Sequence, residues 1–365
     1  NAHKALLYAA ALLDFDIRWL WPSAQAEGAL CSCPVTAEAL TGALHALAQQ
    51  GNTPFGVYVT SPDYLGGVQE LPALAAVCRA QGVPLLVDNA HGAYLRFLPQ
   101  NCHPIAQGAA MCCDSAHKTL PVVTGGAYLH LAHDAPVQDE AAVRGALALF
   151  GSTSPSYLIL QSLDACNAVL AGDYPRRLVR CCAALESLRC SLNKAAAARQ
   201  CPVPLAVAGA QQEPMKLTLD AAALGCTGTA LADALRRAQL ECEYADPRYV
   251  VLMFTPENPP QDYTRLQATL EQLLAAVPAG LPRPENRAGE FAALQQQAVQ
   301  RCTIRQAVLG AQVRIPVHKA LGRVCAMPTV SCPPAIPVAV SGEEITPAAI
   351  ALMQRYGIEE LSVLR

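Results

Sequence analysis

The chain has 365 residues, 52% of them hydrophobic, and a formal net charge of −3. That length and apolar fraction suffice for a large core and for more than one domain. The small, scattered charge argues against nucleic acid as a partner, and the one basic cluster, Arg176, Arg177 and Arg180, reads as a solvated helix face.

No apolar run reaches the length of a membrane span, and no signal peptide pattern is present, so no membrane partner is expected. The 16 cysteines include no pair at C-x-x-C spacing. Several, such as Cys78, Cys166 and Cys226, fall inside apolar patterns. They read as small hydrophobes in a reducing cytoplasm, and no metal site is expected from them.

In chain order, residues 15–21 read as a strand. Thr36 is a helix N-cap, with the helix running to about Gln50 and Gly51 ending it. Residues 57–60, β-branched and aromatic, form a second strand. Pro72 near a helix start and Gly82 just past its end show the usual asymmetry of helix termini. Strands follow at residues 84–87, 111–114 and 127–131. Strands alternating with helices predict parallel pairing and an α/β sheet. A long helix over residues 177–197 then opens a different pattern, with strands at 215–219 and 249–254 around a helix at 229–239. A Pro-rich linker spans 278–284. Helices over 291–300 and 346–356 flank Cys332-Pro333-Pro334-Ala335-Ile336-Pro337. The expected units are residues 1–173, 174–284 and 285–365.

Two motifs carry chemistry. Asp88-Asn89-Ala90-His91-Gly92 directly follows a strand, where an open α/β sheet meets its ligands. Ser115-Ala116-His117-Lys118-Thr119 follows another strand of the same sheet. A carboxylate and a lysine on neighbouring strand-end loops suit pyridoxal 5'-phosphate (PLP). The lysine amine forms a Schiff base with its aldehyde, and the carboxylate keeps its pyridine nitrogen protonated.

With further motifs, the chain resembles the PLP-dependent ornithine/lysine/arginine decarboxylases. The resemblance rests on Asn1-Ala2-His3-Lys4, Thr60-Ser61-Pro62-Asp63-Tyr64, Val87-Asp88-Asn89-Ala90-His91-Gly92 and Asp114-Ser115-Ala116-His117-Lys118-Thr119-Leu120-Pro121. It continues in Gly151-Ser152-Thr153-Ser154-Pro155-Ser156-Tyr157 and in the Pro-rich run before Gly342-Glu343. It implies fold type I, the aspartate-aminotransferase-like fold: an α/β large domain with a mostly parallel sheet, a small α+β domain and a C-terminal α+β unit. It also implies a homodimer or an oligomer of dimers, and decarboxylation of lysine, arginine or ornithine.

Roles follow from the resemblance. Lys118 matches the Schiff-base lysine and Asp88 the partner of the pyridine nitrogen. His3 matches the histidine stacked on the ring. Ser115 and His117 match contacts to phosphate and pocket, and His117 is an alternative to Lys118 as the proton donor to Cα. Ala90 and His91 match the pocket lining. Ser152 matches a hydroxyl reaching the phosphate from the neighbouring subunit. Glu343 is a candidate partner for the substrate's distal cation. His103 and His130 match no role that the resemblance supplies and read as structural.

Two departures stand out. The family's Gly-Thr-Ser-type phosphate segment falls upstream of Asn1, so the natural protein is expected to continue there. Asn89 stands where relatives often have glutamate. An aminotransferase or other fold-type-I chemistry, and a degenerate non-catalytic assembly subunit, are the alternative readings.

Overall fold

The computed structural model describes residues 1–22, 29–152, 154–278, 280–285, 287–330 and 335–365. Helix α1 (Lys4–Leu13) comes first, and the sequence reading did not anticipate it. The strand expected at residues 15–21 is absent; this stretch has no regular secondary structure and pairs with no strand. Its alternating apolar residues Phe15, Ile17 and Trp19 pack instead against Leu7, Ala10 and Ala11 of α1, and against Ile304. The alternation is satisfied by a helix surface rather than by a sheet.

Thr36 caps α2 (Ala37–Gln49) by accepting from the Ala39 amide at 3.2 Å. Strand β1 (Val57–Thr60) leads to α3 (Leu71–Ala80), which carries Pro72 in its first turn, and then to β2 (Leu85–Asp88). Strand β3 (Met111–Asp114) runs into the short helix α4 (Ala116–Thr119), followed by β4 (Tyr128–Leu131). The sheet order is β1-β2-β3-β4. The first three strands are parallel, and β4 returns antiparallel to β3. Only α4 lies between β3 and β4, and a parallel return needs a longer crossover. Leu40 and Leu44 of α2 and Leu71, Leu74 and Cys78 of α3 bury one face of the sheet against Val57, Val59, Leu85, Val87 and Cys112.

Helices α5 (Glu140–Phe150) and α6 (Tyr157–Ala171) precede the long α7 (Tyr174–Ala198). A three-stranded antiparallel sheet follows, ordered β5-β7-β6. Its parts are β5 (Lys216–Asp220), α8 (Gly228–Arg237), β6 (Tyr244–Ala245) and β7 (Tyr249–Met253). Helix α9 (Pro260–Ala275) completes a layer in which Leu178, Leu185 and Leu192 of α7 pack on Leu217, Leu219, Val250, Leu266 and Leu270. The same cluster takes in Tyr94, Ala116 and Leu120 beside α4. Lys118 is thereby seated on a packed floor.

The remaining elements are α10 (Ala288–Gln297), α11 (Ile304–Leu309), β8 (Gln312–Pro316), β9 (Thr329–Val330), β10 (Pro337–Ala339), α12 (Pro347–Arg355) and β11 (Glu360–Leu364). Strands β8 and β11 pair antiparallel, as do β9 and β10. Helix α1 packs against α11, and the Lys4 amide donates to the Ala335 carbonyl at 3.0 Å. Of the Pro-rich motif, Cys332, Pro333 and Pro334 lie outside the described residues, as does Thr153 of the Gly-Ser-Thr-Ser motif.

Candidate active site

Parallel pairing places the ends of β2 and β3 on one sheet edge. Asp88 is the last residue of β2, in register with Thr60 of β1 and Cys113 of β3. It is buried. Its Oδ2 accepts from the Tyr58 hydroxyl at 2.8 Å, and its Oδ1 accepts from the Ala90 amide at 3.1 Å. Tyr58 lies two residues before Thr60 on β1, so period-two alternation turns both toward the same sheet face. Burial, and then the Asp88 charge, push the Tyr58 pKa up strongly, so this hydroxyl is a permanent donor. Tyr58 escaped the sequence reading, because the register that sets Thr60 against Asp88 exists only in the folded sheet.

Lys118 lies in α4, one turn beyond the end of β3. Its Nζ is 3.3 Å from Nε2 of His91. His91 is buried, and its ring meets Tyr64 edge-on at 4.8 Å between centroids. Burial lowers the His91 pKa well below its ordinary value, and the positive fields of Lys216, Lys118 and His3 add to this. The imidazole is therefore neutral. With Nε2 accepting from Lys118, the ring proton belongs on Nδ1, a buried atom without a hydrogen-bond partner.

A second lysine backs this arrangement. Lys216 of β5 is buried, donates to the carbonyls of Asp63 at 2.7 Å and Tyr64 at 3.2 Å, and lies 5.5 Å from the centroid of the Tyr64 ring. Burial lowers its pKa, with Glu213 and Asp63 opposing.

His3 caps α1, its Nδ1 accepting from the Ala5 amide at 3.2 Å. His3 is exposed, yet the protein around it lowers the pKa by desolvation. The Asp88 charge opposes that shift and Lys118 reinforces it, so His3 shares the field of both. His117 points Nδ1 at the Gly126 carbonyl at 2.8 Å, which fixes the proton on Nδ1, and its amide donates to the same oxygen at 3.2 Å. Ser115 precedes α4, and its carbonyl accepts from the Lys118 amide at 3.0 Å.

Gly92 is required by close approach. A Cβ there would lie 2.0 Å from Asn89 Oδ1 and 2.8 Å from Leu95 Cδ1 and Pro62 Cδ. Asn89 is itself buried and donates from Nδ2 to Asp114 Oδ1 at 2.7 Å. Asp114 Oδ2 also receives Nε2 of His103 at 3.1 Å and Nε2 of His130 at 3.0 Å. Burial alone would raise the Asp114 pKa, but these partners outweigh it and hold the carboxyl at about 2. The two histidines set aside in the sequence thus converge on one carboxylate.

The structure brings Asp88, Ala90, His91, His3 and Lys118 into one electrostatic neighbourhood. Ser152 lies elsewhere: it is exposed, and its hydroxyl bonds locally with Ser154. Glu343 turns Oε2 back onto the Val340 amide at 3.1 Å, and burial raises its pKa. No hydrogen bond or ion pair joins either residue to Lys118 or Asp88 among the described residues.

Residues 1–261 match the family described as Orn/Lys/Arg decarboxylase, major domain. An uncharacterized protein of Bacillus subtilis, YaaO, is 27% identical over 97% of this chain and 72% of its own length. An arginine decarboxylase of the same organism is 27% identical over 80% of this chain and 59% of its own length. Among solved structures, the Escherichia coli constitutive lysine decarboxylase superposes with a TM-score of 0.72 at 18% identity, covering 100% of this chain and 66% of that one. The Francisella novicida lysine decarboxylase gives 0.75 at 17% identity, with 100% and 65% covered. The chain therefore spans less than two thirds of several relatives it matches.

Proposed function

Because the chain belongs to the ornithine/lysine/arginine decarboxylase family, we propose that it holds PLP on Lys118 and removes the α-carboxylate of a basic amino acid as carbon dioxide. The observation that carries this is the pairing of Lys118 with neutral His91 at 3.3 Å, beside a buried carboxylate, Asp88, fixed by two donors.

These residues fit the cofactor. A primary amine for its aldehyde and a buried carboxylate for its ring nitrogen stand at neighbouring strand ends. When bound, the cofactor supplies a protonated ring that takes up the electron pair left at Cα when carbon dioxide departs. Asp88 holds a fixed negative charge, and in a water-poor site that charge acts far more strongly than on a surface. Tyr58 and the Ala90 amide stop the carboxylate from rotating away. His91 accepts a hydrogen bond from Lys118 and orients its Nζ. His3 would cover the ring, and Ser115 and His117 would take the phosphate end. Lys118 Nζ, or His117 from Nε2 when its ring carries both protons, would return a proton to the substrate Cα.

Lysine, arginine and ornithine share a distal cation, and Glu343 is the proposed carboxylate for it. Relatives named as arginine decarboxylase and lysine decarboxylase support that substrate class. We also propose a homodimer. Helix α5 buries no residue, and Leu149, Phe150, Tyr157 and Leu158 are exposed, Leu149 by 79% and Tyr157 by 83%. An apolar surface of this kind marks an association site, and Ser152 lies in the loop between its two helices. Association there would carry Ser152 to the partner's site. No described helix is long and apolar enough to cross a membrane; the cytoplasmic setting is proposed on the cysteines that sit in the core as small hydrophobes, such as Cys78 and Cys166.

The test is an absorbance spectrum with added PLP, before and after Lys118→Ala, followed by carbon dioxide release from the three amino acids. A Schiff-base band lost in the variant, with release that needs no keto acid, is expected. Turnover only with a keto acid would make the protein an aminotransferase. A band absent from a dimer with an intact fold would make it a non-catalytic subunit.

A further inference from the structure

The group formed by His103, Asp114 and His130 lies outside the chemistry proposed above. Its donor atoms all lie within 4.8 Å of one another. Sheet register explains the convergence. Cys112 and Asp114 are two apart on β3 and so share a face, and His130 on β4 is the cross-strand partner of Cys112. His103 enters from the loop before β3, its ring edge-on to His130 at 4.9 Å. Cys112 Sγ lies 3.7 Å from His103 Nε2 and 4.0 Å from Asp114 Oδ1.

We propose that this is a binding site for a zinc-type divalent transition metal. His103 Nε2, His130 Nε2 and Asp114 Oδ2 are its ligands, and Cys112 Sγ, near His103, is the fourth once it moves inward. Zinc takes nitrogen and oxygen at roughly 2.0–2.2 Å and sulfur at about 2.3 Å, so neighbouring ligands of a tetrahedral site stand roughly 3.3–3.7 Å apart. The contacts found here, 3.0 and 3.1 Å to Asp114 and 3.7 Å from the Cys112 sulfur to His103, are near these separations, while Cys112 Sγ stands outside the group of three and must move inward to join it. Asp114 would bind through Oδ2 alone, because Oδ1 is already held by the Asn89 amide. That is the supporting hydrogen bond that orients a ligating carboxylate. A glutamate at position 89 would present another negative charge to Asp114 where the asparagine presents a donor. His130, 37% exposed at its side chain, gives the ion an entry path. On binding, the Cys112 thiol proton leaves to solvent and both imidazoles bind through the Nε2 lone pair. The ion would clamp β3, β4 and the loop carrying His103, directly behind Asn89 and hence behind Asp88.

The test uses the full chain, stripped with a chelator and titrated with cobalt(II) alone. We expect one equivalent bound, with visible bands of tetrahedral intensity and a near-ultraviolet thiolate-to-cobalt band. Cys112→Ser should remove the near-ultraviolet band and keep the visible ones. Cys113→Ser, on the opposite face of β3, should change neither. His130→Gln, at a partly exposed position that tolerates the amide, should weaken binding at least ~100-fold while the circular dichroism stays unchanged. Absence of stoichiometric cobalt binding by the folded chain would overturn the proposal and leave a hydrogen-bonded network. So would undiminished binding in His130→Gln, which would assign the ion to other cysteines. A near-ultraviolet band that persists in Cys112→Ser would overturn the fourth ligand.

Discussion

Tyr58→Phe isolates one atom at the proposed site. The substitution keeps the ring on β1 and deletes the hydroxyl that donates to Asp88 Oδ2 at 2.8 Å. Asp88 is buried, so water does not freely replace the lost donor. A hydrogen bond to a charged group contributes about 1.5–3 kcal/mol net, and ~2 kcal/mol is the expected loss. With roughly 2.1 cal/mol/K of unfolding entropy per residue, that loss lowers Tm by roughly 3 °C if the chain unfolds as one unit. The assay is a double-mutant cycle with Asp88→Ala, read by thermal unfolding of the stripped protein. Removing the hydroxyl should cost little once the carboxylate is gone, giving a coupling of at least about 1.5 kcal/mol. Additive losses would refute the reasoning, because they would mean that the Tyr58 hydroxyl stabilises something other than Asp88.

Three further outcomes are expected. Gly92→Ala drives a Cβ to 2.0 Å from Asn89 Oδ1; the overpacking should cost about 1–3 kcal/mol, and an unchanged Tm would contradict the close approach. Asp63 is buried, and desolvation raises its pKa from 3.8 to about 6, with Lys216 opposing. The fold thus favours the protonated carboxyl, and its contribution is complete below pH 3.8 and lost as pH rises through about 6. Asp63→Asn should flatten the fall in Tm between those values; parallel curves for the two proteins would sink this reading. Phe150→Glu with Leu158→Glu, both at exposed apolar positions, should yield monomers by sedimentation, and a persisting dimer would move the interface elsewhere.

What the sequence made legible follows from the range of the forces involved. Thr36 and Pro72 act within one turn, and both helix starts were read correctly from them. Residues 57–60 and 111–114 carry their β preference locally, and both are strands. Residues 15–21 have the same alternation, but a strand exists only if a neighbour offers its edge, and here α1 and Ile304 supply the apolar surface instead. The antiparallel return of β4 was likewise invisible to alternation alone, since it depends on how little chain α4 leaves for a crossover.

The site divides in the same way. Asp88 and Lys118 could be found because each sits in a recognisable local motif at a strand end. Tyr58 could not, because its role exists only through the register that sets Thr60 against Asp88. His103, Asp114 and His130 lie far apart in sequence and become one group only when β4 pairs with β3. Residue type was visible at all of these positions; what the linear order hid was pairing. A single test bears on this: slipping the β3–β4 register by one residue would turn His130 to the opposite face. Inserting one residue into β4 should therefore abolish the His130–Asp114 contact, and with it any stoichiometric cobalt binding. It should leave the hydroxyl of Tyr58 on Asp88, since β1 and β2 are untouched.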